Sequence, residues 1–234
     1  MNKTRFLQLA TLLSVLACGL PPVLAENLAG ERPLYVPPDV DGKPDRLVGG
    51  ASRSSSAIPQ LSVLSPPTMG LTSRSQPVLY WSVPQAIETP VKIIIVGFMD
   101  RVNNRPPLLE IELPRVRAGT HRLALEDHQV ALQPGTKYDW TLRFDWIPPE
   151  DRNAQGSAQP HPVMSRATLF YKPAPPDLAE QVRQAEPEAL PAIYAQASYW
   201  YDSLAALETL LEQHPEDPRY LEWRSALLKQ VALE

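Results

Sequence analysis

The chain has 234 residues, 22 basic and 26 acidic, with a formal net charge of −4 and one cysteine. A mildly acidic chain has no general attraction to nucleic acid or to anionic lipid. One cysteine excludes an internal disulfide, and its removal with a leader cleaved after Ala25 would exclude cysteine zinc sites and cysteine nucleophiles as well.

The first 25 residues read as an export leader. Lys3 and Arg5 make a basic start, an apolar stretch runs over 6–17, and Val23-Leu24-Ala25 precedes Glu26. Small residues three and one before a cut suit signal peptidase. The apolar run is short for a membrane span, and an uncleaved anchor is the alternative. Cys18, in Val-Leu-Ala-Cys, weakly resembles a lipoprotein processing site, so a lipid anchor there competes with cleavage after Ala25. Cleavage would leave 209 residues, no cysteine, and 20 basic against 26 acidic residues. The expectation is an exported protein, periplasmic or extracellular, or tethered to a membrane.

Residues 26–60 are rich in Pro, Gly, Ser and charge and have almost no apolar periodicity. They read as a flexible arm, because such a segment buries too little to offset chain ordering. The other reading is an arm that crosses a sheet edge or docks on a partner. Gly49-Gly50 is no phosphate loop, since neither a Lys-Ser pair nor a leading strand accompanies it.

Residues 61–172 read as strands at 61–65, 78–83, 91–98, 108–113, 122–126, 137–146 and 163–171. Seven short strands separated by turn signals predict a sandwich. The sixth is the clearest: Tyr138, Trp140, Leu142, Phe144 and Trp146 lie on one face, and Lys137, Asp139, Thr141, Arg143 and Asp145 on the other. Period two predicts one buried and one wet face. KIIIVGF is apolar on both faces and should lie centrally or be shielded by helices. Prolines at 66–67, 84, 114 and 148–149 close strands where a lost donor costs least. The basic cluster 115–122 reads as a solvated turn. Two loops offer places for binding, VNNRPP and EDRNAQGSAQPHP.

In LQPGTKY, the spacing of Leu132, Pro134-Gly135 and Tyr138 resembles the tyrosine corner of immunoglobulin-like and fibronectin type III domains, in which the hydroxyl bonds back to the preceding turn. The competing reading makes Tyr138 an amphipathic core residue beside a Pro-Gly turn. Without paired cysteines, the fibronectin-like variant fits better.

Residues 177–232 change period. Helices are predicted at 177–185, 190–213 and 218–231, the last two forming an αα-hairpin across HPEDP. Ala197, Trp200, Leu204, Leu207 and Leu211 form an apolar stripe, widened by Tyr194, Tyr201 and Leu210. The fold class is therefore mainly β with C-terminal helices: an immunoglobulin- or fibronectin-like sandwich packed with a C-terminal helical hairpin. The cluster Tyr194, Tyr199, Trp200, Tyr201 is either the seam between these layers or a ligand surface. Asp202 beside it is the polar residue of interest, with helix-to-sheet locking as its alternative role.

Convincing catalytic chemistry is missing. His121, His128, His161 and His214 lack metal-binding spacing, and no Gly-x-Ser-x-Gly elbow occurs. Glu126-Asp127-His128, with His121, is a weak candidate cluster at a strand end. No cofactor or metal is expected.

Stretches GKPDRLVGG, LSVLSPPTMGLTSRSQPVLYWSVP, EIELP, LQPGTKYDWTLRF, SYWYDSLAALETL and WRSALL resemble the DUF928 family of bacterial, mainly cyanobacterial proteins of unknown function. The resemblance covers roughly residues 42–230. It implies one exported unit and no assigned activity. It also implies a cysteine in many relatives near the end of strand 137–146, where this chain reads Phe144-Asp145-Trp146. The expected role is a non-catalytic binding or scaffolding protein of the cell envelope with a protein or glycan partner. The alternatives are a carbohydrate or small-ligand module using exposed Trp and Tyr, and a hydrolase.

Overall fold

The computed structural model describes residues 30–39, 47–48, 58–147 and 159–233. The leader, Cys18, most of the 148–160 loop and much of the arm lie outside them. Among the described residues nine strands form two sheets. The larger has the order β1-β9-β8-β5-β6, with β3 also on β9, and the smaller is β2-β4-β7. Their ranges are β1 Leu47–Val48, β2 Ser62–Val63, β3 Met69–Thr72, β4 Val78–Val83, β5 Val91–Gly97, β6 Leu109–Leu113, β7 Gly119–Ala124, β8 Lys137–Trp146 and β9 His161–Tyr171. All ladders are antiparallel except β3–β9, which is parallel.

The alternation predicted for β8 holds for its core face. Tyr138, Trp140, Leu142, Phe144 and Trp146 are all buried and pack with Leu79, Trp81 and Val83 of β4 and Val91, Ile93 and Ile95 of β5. The wet-face assignment fails at Asp139, which is 3% exposed. A five-residue helix, α1 (Phe98–Val102), covers it. Arg101 Nε lies 2.5 Å from Asp139 Oδ2, and Thr168 Oγ1 donates to Oδ1 at 3.1 Å. A buried carboxylate persists where such partners replace water. Tyr80, on the outer face of β4, is also buried, because a helix covers that side. KIIIVGF is β5, flanked by β8 and β6; Ile94 and Val96 on its outer face stay half-buried.

The helices are α2 (Pro176–Gln184), α3 (Leu190–Gln196), α4 (Trp200–Gln213) and α5 (Pro218–Lys229). The single helix expected over 190–213 is two. Ser198 has φ +72°, in the left-handed region, and breaks the backbone. No Gly or Pro marks the break in the sequence, so the periodicity runs through it. The break turns α4 so that its first residues meet the sheets, and Ser203 Oγ donates to the Pro191 carbonyl at 2.7 Å to hold the corner.

Strand β3 joins the parts. Met69 and Leu71 pack in a second core with Leu178, Ala192, Ile193, Tyr194 and Tyr199. Gly70 faces the main core: a Cβ there would lie 2.5 Å from the ring of Tyr201. Between α4 and α5, Arg224 Nε bonds Glu208 at 2.6 Å, and Arg224 also reaches Thr120 on β7 at 2.9 Å.

Part of the expected flexible arm is instead seated. Tyr35 N–H donates to Gln230 Oε1 at 2.8 Å and Val36 N–H to the Ala195 carbonyl at 3.1 Å. The Tyr35 ring stands edge-on to Trp200 with centroids 5.0 Å apart, and β1 pairs with β9. One aromatic anchor plus backbone bonds compensates here for composition that promises no order.

Candidate functional site

The residues singled out at the seam converge, but inside the molecule. Tyr194, Tyr199, Trp200, Tyr201 and Asp202 are each at most 4% exposed. Trp200 Nε1 donates to the Leu64 carbonyl at 2.9 Å. The Tyr201 hydroxyl accepts from Trp140 Nε1 at 3.0 Å and lies 3.0 Å from Ser65 Oγ. Burial pushes its pKa up to about 12, so it stays a neutral hydrogen-bonding group.

Asp202 sits in the first turn of α4 and reaches the segment after β3. Its carboxylate accepts from Ser73 N–H at 2.7 Å and Ser73 Oγ at 3.2 Å, and Arg74 Nε lies 3.4 Å away. Desolvation outweighs these partners and raises its pKa to about 6. Its charge and burial together raise the pKa of Tyr194, burial being the larger cause. This network ties helix to strand: Asp202 is buried within it, and Arg74 forms its solvent-exposed end.

All five tryptophans and every tyrosine except Tyr171 are buried. The Tyr138 hydroxyl accepts from Gln133 N–H at 2.8 Å, five residues upstream across the Pro134-Gly135 turn.

The histidines stay apart. His121 packs on Trp81 and its Nε2 lies 2.8 Å from the Arg117 carbonyl. His161 and His214 lie against Trp146 and Tyr220, and His128 lies in a 3-10 turn at Leu125–His128. Among the described residues no group of three or more His, Cys, Asp or Glu converges. A shallow groove of about 300 Å³ on the outer face of the larger sheet is lined by Lys92, Glu112, Arg143 and Asp145 among others.

The exposed chemistry is concentrated elsewhere, in the β5–β6 connection. Phe98 is 39% exposed, Met99 63%, Val102 62% and Leu108 43%. Spacings of three and four put Met99 and Phe98 beside Val102 on one helical face. The turn is held from below by the Arg101–Asp139 pair and within by Arg105 Nη1 on Asp100 at 3.3 Å. VNNRPP, a binding loop by sequence, is the second half of this connection. Sequence reasoning missed the helix before it, because FMDRV continues an apolar strand without any cap signal. The other candidate loop lies mostly outside the described residues.

Among the described residues no helix is long and apolar enough to cross a membrane. No curated protein matches the sequence significantly. A family model does: residues 48–234 match DUF928, a domain of unknown function, and the chain belongs to that family.

Proposed function

We propose that this protein is a non-catalytic binding or scaffolding protein of the cell envelope, which engages a protein partner through the β5–β6 turn. The observation that carries the reading is a turn tied down by two ion pairs that spends four large apolar side chains on solvent. Exposed apolar groups gathered in one place mark interaction sites, whereas single ones are ordinary. Preorganisation lowers the entropy cost of docking. The sugar-binding alternative called for exposed Trp and Tyr, and those rings are buried apart from the half-buried Tyr171; among the described residues no gathered set of histidine and carboxylate supports the hydrolase alternative. Envelope placement rests on the leader pattern: the intact mass of the protein recovered from cells should fit cleavage after Ala25, and a lipid-bearing Cys18 would redraw it as membrane-tethered.

Counting β2, β4, β5, β6, β7, β8 and β9 as seven successive strands, the first, second and fifth form one sheet. The third, fourth, sixth and seventh form the other. With Tyr138 bonded to its preceding turn, this order supports an immunoglobulin-like sandwich. The fourth strand sits beside the third rather than in the opposite sheet, as a fibronectin-like form requires.

A photoreactive side chain placed at position 99 is expected to give a discrete protein adduct in cells. The same group at exposed position 222 is expected to give none. Met99→Asp with Val102→Asp should abolish co-purification of that adduct's partner while moving stability by no more than about 0.5 kcal/mol, as exposed substitutions do. Equal labelling from positions 99 and 222 would remove the turn from the proposal.

A further inference from the structure

Strand β6 ends the larger sheet, and among the described residues no strand pairs its outer edge. Its side chains divide cleanly. Leu109, Ile111 and Leu113 point to the core side yet stay half-buried, while Glu110 and Glu112 are exposed on the other side. Lys92 on β5 lies 3.6 Å from Glu110 and 3.8 Å from Glu112, so one ammonium faces two carboxylates. Across the outer face the register runs Arg143, Lys92, Glu112 in one row and Thr141, Ile94, Glu110 in the next. Among the described residues no strand fills the position beyond each glutamate.

A strand added here would put its alternate residues opposite Glu110 and Glu112, where directly opposed charges of opposite sign stabilise and like charges repel. Its other residues would fall beside Leu109, Ile111 and Leu113. A second copy of this chain fits poorly. Antiparallel pairing of β6 with itself, with like faces together, sets glutamate against glutamate whether centred on residue 110, 111 or 112. With faces swapped, glutamate meets leucine or isoleucine. Past the leader, none of the segments outside the described residues alternates apolar with basic residues.

We infer that the outer edge of β6 is a strand-addition site for an extended segment of another protein in which basic residues alternate with apolar ones. Main-chain bonds to the edge give affinity, and the two glutamates select the sequence. The same charges also discourage indiscriminate edge pairing, the usual hazard of a free edge. The inference rests on the protein being a binding module but uses a surface distinct from the exposed side chains of the turn.

The test uses the isotope-labelled full mature chain and three blocked peptides of about nine residues, long enough at about 3.3 Å per residue to run the length of β6. One alternates valine and lysine, one valine and glutamate, and the third is the lysine peptide N-methylated on alternate backbone nitrogens, made in each of the two registers. The lysine peptide is expected to shift the amide resonances of residues 109–113. It should bind about tenfold more tightly than the glutamate peptide, the order that two opposed charge pairs supply. High salt should shrink that preference. N-methylation on the pairing side should abolish binding. Glu110→Gln with Glu112→Gln should erase the preference, and E110K with E112K should invert it; both sites are exposed, so folding is preserved and checked by melting. No shift at 109–113, equal affinity for both charges, or tolerance of N-methylation in both registers would each overturn the inference. If the peptides fail while position 99 still crosslinks a partner, only the edge site falls and the binding reading stands.

Discussion

Tyr201→Ala is expected to destabilise the protein by about 3–5 kcal/mol, the range for truncating a buried aromatic. That is a large part of the total stability of a typical domain, about 5–15 kcal/mol. The ring is 1% exposed and fills the space over Gly70, while its hydroxyl joins Trp140 of β8 to Ser65. Tyr201→Phe separates the two contributions. It keeps the ring but leaves the buried Trp140 Nε1 without its acceptor, which costs about 1–3 kcal/mol. Urea unfolding followed by tryptophan fluorescence and by far-ultraviolet circular dichroism should show one shared transition, because this residue anchors α4 on the sandwich. Gly70→Ala provides the reciprocal check. Its methyl would meet a ring pinned by two hydrogen bonds, an overpacking cost of about 1–3 kcal/mol. That penalty should largely vanish in the Tyr201→Ala background, since contacting residues are not additive. Additive costs would mean that the ring and Gly70 do not meet.

Asp202→Asn should remove a pH dependence that the native protein carries. The native carboxyl titrates near 6 when folded, against an ordinary value of 3.8. Between those values the folded state holds a proton that the unfolded state has released. Stability therefore falls as pH rises from about 4 to about 6 and levels off above. The slope approaches about 1.4 kcal/mol per pH unit, and the total is about 3 kcal/mol. Asparagine keeps an acceptor for Ser73 N–H and gives up the ion pair with Arg74. The difference in unfolding free energy, variant minus native, should accordingly move by up to about 3 kcal/mol in the variant's favour between pH 4 and pH 7. Other carboxylates titrate in both proteins and cancel in that difference. A difference independent of pH would show that Ser73 and Arg74 compensate fully for burial.

Both experiments address residues that the sequence marked but could not interpret. SYWYDSLAALETL advertised aromatics and an acid at helical spacing, and that pattern is the same for a ligand platform and for a seam. The difference lies in β3. MGLT is short, contains glycine and follows two prolines, so nothing local marks it as a strand. Its pairing partner, β9, is about a hundred residues away. Asp139 was misplaced for a related reason. Alternation assigns a residue to a face, but it carries no information about which other segment covers that face. The helix that does so begins in an apolar run with no cap signal.

What the sequence determined by itself is the part governed by local periodicity. Period two gave β4, β6, β8 and β9 nearly to their ends, a run apolar on both faces gave β5, period 3.6 gave the C-terminal helices, and their order implied a sandwich with helices added. These signals are local because an amphipathic strand or helix writes its buried face into neighbouring residues. The tertiary structure alone decided which faces meet. It brought β3 alongside β9, broke the long helix at Ser198, seated Tyr35 on Trp200 and buried the aromatic cluster. It also left the β5–β6 turn and the β6 edge open. Those outcomes depend on contacts between distant segments, whose free energy no short window of sequence contains. The change from strand to helical period is thus where the aromatics lie buried, while the exposed apolar turn and the outer edge of β6 lie on the sandwich.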